Sequence, residues 1–265
     1  MIRNLRRLLE TTALALSLTL LGAICLSWTV VALPLYLLLP ASAGRRVGRR
    51  GILVGFCAYV WSLRLMRAYQ LDLEALTALR TGPAMVLAPN HPSLIDALLI
   101  VAYNPRVACV MKSALMNNLF LGAGARLARY IRNEPPRRMI IEAVAELRRG
   151  GLVLLFPEGT RTMHVPVNPL TGSVGVVAKH AGTPVQTLLI EQDSPFLSKG
   201  WSLFRRPSLP IGYRIRLGRR FDPPSDVHAF TAELEQYFRT ELAASAQNAW
   251  IAARERERER ERQHG

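Results

Sequence analysis

Residues 84–111 read AMVLAPNHPSLIDALLIVAYNPRVACVM, and the way this stretch divides decides the fold class. Ala84–Ala88 is a short apolar run closed by Pro89, the pattern of a buried strand. Pro92–Tyr103 carries apolar residues at helical spacing, and Arg106–Met111 is a second short apolar run. Strand, helix and strand within about thirty residues is a βαβ unit, whose strands run parallel.

The alternation continues outward from there. Ser113–Ala128 reads as a helix, and Arg137–Arg149 is a second one that stops at Gly150-Gly151. Leu152–Phe156 is a buried-strand run, Val174–His180 a helix and Val185–Ile190 a strand. Tyr213–Leu217 reads as a late strand and Asp226–Ala253 as a long terminal helix. The expected fold is α/β: a mixed, largely parallel sheet flanked by helices, over residues 71–253.

Residues 1–70 have a different character. No charged residue occurs between Glu10 and Arg45, a span longer than the roughly 20 residues a helix needs to cross a bilayer. Arg3, Arg6 and Arg7 precede it, and Arg45, Arg46, Arg49 and Arg50 follow it. Basic clusters at both ends fit a single crossing or a bent, re-entrant helix with both ends on the cytoplasmic face. Pro34 is expected to kink a continuous helix. Ala41-Ser42-Ala43 has the small residues of a signal-peptide cleavage site, but the apolar core is far longer than the ~7–15 residues of such a leader. A retained membrane anchor is the reading adopted. Ile52–Tyr69 is a second apolar stretch, either an interfacial helix whose Arg64 and Arg67 meet lipid phosphates or a core helix of the soluble part.

At the other end, residues 254–262 alternate Arg and Glu strictly, so five Arg and four Glu net only +1 of the chain's +15. No apolar face remains to dock, and residues 254–265 are expected to be a solvated, disordered tail. The basic character therefore belongs to the body and implies an anionic partner. Nucleic acid is the disfavoured partner, because aromatics are only 7% and do not interleave with the basic residues, and no nucleic-acid motif is present. Cys25, Cys57 and Cys109 each lie in apolar runs without metal or disulfide spacing, which fits buried small hydrophobes in a reducing compartment.

Two segments carry chemistry. In Asn90-His91-Pro92-Ser93-Leu94-Ile95-Asp96, His91 and Asp96 are five apart, which on one regular helix would set them about 140° from one another. Proline favours the first helical position. With Pro92 there, His91 lies outside the helix and Asp96 near its first turn. The carboxylate can then hold one ring nitrogen while the other takes a proton from a hydroxyl, a base and its orienter. Ser93 has no Gly-x-Ser-x-Gly elbow around it and reads as a helix-start residue, not a nucleophile. The second segment, Phe156-Pro157-Glu158-Gly159-Thr160-Arg161, leaves the carboxyl end of a strand, the usual ligand edge of such sheets. Gly159 lets the backbone approach an anion, Thr160 adds a hydroxyl and Arg161 can bind phosphate bidentately. Glu158 could hold Arg161 or another basic side chain in place. Together the segments suggest acyl transfer to a hydroxyl on a phosphate-bearing acceptor.

Asn-His-Pro-Ser-Leu-Ile-Asp followed by Phe-Pro-Glu-Gly-Thr-Arg resembles the glycerolipid acyltransferase family, which includes 1-acylglycerol-3-phosphate O-acyltransferases. The resemblance implies that His91 and Asp96 are the catalytic pair. It implies that Glu158, Gly159, Thr160 and Arg161 line the acceptor phosphate site, with Lys112 and Arg132 as further phosphate contacts. It also implies an N-terminal membrane-associating motif, placement at the inner (cytoplasmic) membrane with the catalytic domain facing the cytoplasm, and no cofactor. The substrates would be acyl-CoA or acyl-carrier protein as donor and a lysophospholipid as acceptor, 1-acylglycerol 3-phosphate by default. Departures at Ala114, where the family commonly has Glu, and at Leu170-Thr171, where it has a lysine pair, leave an ornithine-type or specialised lipid acceptor open. The reading from another class is a non-catalytic lipid-binding protein on the same fold, which the intact His91 and Asp96 argue against.

Overall fold

The computed structural model describes residues 2–164, 166–201, 207 and 209–243, with side chains from residue 12 onward. The framework is one seven-stranded sheet: β1 (Tyr69–Asp72), β2 (Met85–Pro89), β3 (Val107–Met111), β4 (Ile131–Arg132), β5 (Leu152–Leu154), β6 (Val185–Gln192) and β7 (Ile211–Phe221), in the order β1-β7-β6-β2-β5-β3-β4. Strands β6, β2, β5, β3 and β4 are mutually parallel. Only β7 runs antiparallel to its neighbour β6, and β1 follows β7 in direction. The mixed, largely parallel sheet is the expected one.

Each central strand serves two cores, because successive side chains point to opposite faces. Met85 and Leu87 of β2, with Leu152 and Leu154 of β5, join one core. Val86, Ala88 and Val153 join the other. Helix α3 (Asp96–Val101) covers the first face, together with Tyr59 and Leu63 of α2 (Ala41–Leu65). The second face is covered by α6 (Pro136–Arg148), α7 (Ser173–Ala181) and α8 (Val227–Leu242), through Met139, Val174, Val177, Phe230 and Phe238. Strands buried on both faces read as continuous apolar runs, which is why they were legible.

The chain opens with α1 (Ile2–Leu38), which continues through Pro34 to Leu38. Its Thr12–Leu38 portion is long and apolar enough to cross a membrane. It packs antiparallel-hairpin fashion on α2 and on α5 (Gly122–Leu127), with the Trp28 ring between Gly51 and Gly124. Leu26, Val30, Val31, Leu33, Leu37 and Leu38 remain exposed. The Ile52–Tyr69 stretch falls mostly in α2 and answers both readings: Tyr59, Val60 and Leu63 are core, while Val54, Trp61 and Leu65 face outward. At the other end of α2, Arg49 is buried, with NH1 on Glu146 Oε1 of α6 at 2.7 Å and Nε donating to Ala128 O at 3.1 Å. Burial alone would push Glu146 up, but the Arg49 hydrogen bond and the charges of Arg49, Arg45 and Arg149 hold it below the usual carboxylate range.

Two expectations need correction. Helix α3 begins at Asp96, not Pro92, because the Ser93 N–H goes to the Asp96 carboxylate and the Leu94 N–H to Leu197 O. Ser113–Ala128 is two helices, α4 (Ser113–Met116) and α5, parted where Asn118 Oδ1 accepts the Phe120 N–H and ends the first. Strands β1 and β4 were not anticipated. The terminal helix runs from Val227 to Leu242, and the remainder of the expected helix and the Arg/Glu tail lie outside the described residues.

Candidate active site

Parallel strands deliver their carboxyl ends to one edge, and four neighbours in the sheet order, β2, β5, β3 and β4, end in the residues singled out above. β2 is followed by Asn90 and His91, and β5 by Phe156–Arg161. Lys112 follows β3, and Arg132 closes β4 opposite Met111. Lys112 is exposed and Arg132 half-buried.

His91 and Asp96 meet. Nδ1 of the imidazole lies 2.7 Å from Asp96 Oδ2, which also accepts the Ser93 N–H at 2.8 Å. The meeting is made by a turn through Pro92–Ile95 that returns the chain to α3. The helix start that Pro92 was expected to make is not what brings them together. With Nδ1–H donated to the carboxylate, Nε2 carries the free lone pair. The ring stacks on Phe156, centroids 3.8 Å apart at 23°, so its tilt is set from the segment that follows β5. The other Asp96 oxygen accepts the hydroxyl of Tyr213, on β7.

The backbone of His91 is fixed as firmly as its ring. Its N–H donates to Glu158 Oε1 at 2.8 Å, and its carbonyl accepts the Thr162 N–H at 2.7 Å. Glu158 Oε1 also accepts the Thr162 hydroxyl at 2.8 Å, and Oε2 the Asn168 N–H at 2.9 Å. Burial pushes the Glu158 carboxyl up, offset in part by these donors. Glu158 was expected to line the acceptor phosphate site; its side chain is turned inward, both oxygens accept hydrogen bonds from the protein, and it joins the loop after β5 to the loop after β2. Nor does it hold Arg161, whose NH1 donates to Leu197 O at 2.8 Å and Ser198 O at 3.2 Å. Burial lowers the Arg161 guanidinium, while the charge of Asp96 acts the other way. Gly159 is exposed at φ +66°, the left-handed region that a side chain would strain, and Thr160 beside it is half-buried.

The sequence reading did not single out four contributors. Asn90 ties the loop after β2 to Ile190 of β6, Phe156 carries the ring, Asn168 closes the glutamate network and Tyr213 reaches Asp96 from far along the chain. Asn90 and Phe156 stood inside the quoted motifs. Tyr213 had one available signal, a polar tip at a buried position in the alternation Ile211, Tyr213, Ile215. Among the described residues no group of three or more His, Cys, Asp or Glu gathers as a metal site would require.

A family model described as Acyltransferase matches residues 70–191, which run from β1 to the end of β6 and contain both motifs. Over that stretch the chain is similar to the acyltransferase family. The 1-acyl-sn-glycerol-3-phosphate acyltransferase of Pseudomonas aeruginosa is 22% identical over 168 residues, 60% of this chain. The matched stretch spans 64% of that relative's length. Among solved structures, the 1-acyl-sn-glycerophosphate (LPA) acyltransferase PlsC of Thermotoga maritima superposes with a TM-score of 0.66 at 20% identity, covering 91% of this chain and 96% of the other. The acyltransferase domain and the two helices before it thus share a known architecture.

Proposed function

We propose that the protein is a membrane-bound O-acyltransferase that moves a fatty acyl group from a thioester, acyl-CoA or acyl-carrier protein, to the hydroxyl of a lysophospholipid. The observation that carries this reading is the His91–Asp96 contact, with the second ring nitrogen left for a substrate. The acceptor O–H gives its proton to Nε2 as its oxygen attacks the thioester carbonyl. The C–S bond then breaks, and the thiolate leaves with the proton His91 held. Asp96 orients the ring and stabilises its transient positive charge. No covalent enzyme intermediate is required.

The acceptor is 1-acylglycerol 3-phosphate in this reading. Lys112, Arg132 and Arg161, with the Gly159–Thr160 backbone and hydroxyl, lie around the same sheet edge and would meet a phosphate, for which guanidinium forks and exposed N–H groups are suited. The apolar outer side of α1, with Leu119 and Phe120 beside it, suits a helix hairpin held in the inner membrane. The fatty chains then stay in lipid while the headgroup reaches the cytoplasmic site. Purified protein supplied with labelled acyl-CoA and, separately, 1-acylglycerol 3-phosphate or an ornithine-type lysolipid tests the acceptor. Label should enter phosphatidic acid; label entering only the ornithine-type product would overturn the acceptor assignment.

A further inference from the structure

Asp96 has no exposed surface, and a buried carboxylate needs donors on both oxygens. Oδ2 has two, both supplied from within five residues. Oδ1 has the Tyr213 hydroxyl, which comes from 117 residues away. We propose that Tyr213 is a positioning residue for acyl transfer, fixing the plane of the Asp96 carboxylate so that His91 presents Nε2 to the acceptor hydroxyl. The proposal rests on the reading of His91 as general base.

The fold explains how a late residue reaches this place. Because β7 runs against β6, its first residues lie beside the carboxyl end of β6, with Tyr213 opposite Gln192 on one side and Leu71 of β1 on the other. A parallel β7 would have put the same residue at the far edge of the sheet. Tyr213 also lies beyond the 70–191 stretch that the family model matches. A carboxylate gripped at one oxygen can still pivot about the other, whereas donors at both oxygens fix its plane. Burial pushes the Tyr213 hydroxyl well above its ordinary range, with Asp96 and Tyr69 adding to the effect, so it remains a donor. The other charged or titratable groups in this surround are His91, on Asp96, and Arg161, whose charge Asp96 feels from the loop after β5.

Tyr213→Phe tests this, because it leaves the ring in its slot and deletes only the O–H. In an assay with acyl-CoA and 1-acylglycerol 3-phosphate, kcat should fall about tenfold or more while both KM values change less than twofold. In an Asp96→Asn background the same substitution should add almost nothing, because the two residues act as a unit. A merely structural tyrosine would lower the melting temperature and give losses that add to those of Asp96→Asn. Wild-type kcat in Tyr213→Phe, or losses that add to those of Asp96→Asn, alongside an inactive His91→Ala, would overturn this proposal alone. An active His91→Ala would overturn the general-base reading beneath it.

Discussion

The side-chain amide of Asn90 pairs with the main chain of Ile190 in both directions: Nδ2 donates to the carbonyl at 2.9 Å and Oδ1 accepts the N–H at 2.7 Å. The pair welds the loop that carries His91 to the neighbouring strand β6, and both partners are buried. Asn90→Ala strands two buried main-chain groups of Ile190, which costs about 2–6 kcal/mol, given roughly 1–3 kcal/mol for each unsatisfied group. The melting temperature should fall by roughly 5–20 °C in a domain of this size. Thermal unfolding in detergent measures it.

Glu158 supplies a pH signature. Its carboxyl is raised by burial, so the folded protein holds that proton to higher pH than the unfolded chain does, and this group's contribution to stability falls as pH rises through the interval between the two values. Glu158→Gln removes the titration. Wild type should therefore gain stability relative to the variant as pH is lowered from 7 toward the usual carboxylate range. A pH-independent difference between their unfolding midpoints would contradict the assignment.

Gly48 tests the seat of the helix hairpin. A Cβ there would overlap the backbone of Leu127 and Ala128 at the end of α5, and backbone cannot swing aside. Gly48→Ala should destabilise by about 1–3 kcal/mol. Gly22→Ala, whose Cβ would come no closer than 4.0 Å to Phe120 Cε1, should leave the melting temperature unchanged or raise it. Paired melting curves of the two variants decide the point.

Arg161 spends one guanidinium nitrogen on Leu197 O and Ser198 O, and in the proposed reading the rest of the fork meets the acceptor phosphate. Arg161→Lys cannot serve both tasks with one ammonium. The KM for 1-acylglycerol 3-phosphate should rise roughly tenfold or more, as expected for losing a charge-assisted bond. The KM for the acyl thioester should not move. Steady-state kinetics with each substrate varied in turn separates the two.

The sheet was readable because strands such as Met85–Pro89 and Leu152–Leu154 are buried on both faces and leave unbroken apolar runs. Tyr69–Asp72 and Ile131–Arg132 were missed because an edge strand of two to four residues has too few side chains to show a period. His91 and Asp96 were found by their spacing, yet the mechanism of their approach was misassigned. Pro92 does not open the helix, since the donors around it are drawn to Asp96 and Leu197, contacts set by the tertiary fold. Glu158 was placed at the phosphate site by the family resemblance, and a carboxylate beside an arginine suggested an ion pair. Its partners are the backbone N–H groups of His91 and Asn168 and the Thr162 hydroxyl, which no local pattern reveals. Tyr213 depends on the direction of β7, a matter of topology that adjacent residues do not encode.

The central claim is that His91 takes the acceptor proton, and the rate of acyl transfer by purified His91→Ala beside wild type tests it most directly. With matched melting temperatures and saturating substrates, the account predicts a loss of roughly 10²–10⁴-fold, the usual contribution of a general base. A variant within twofold of wild type would contradict it.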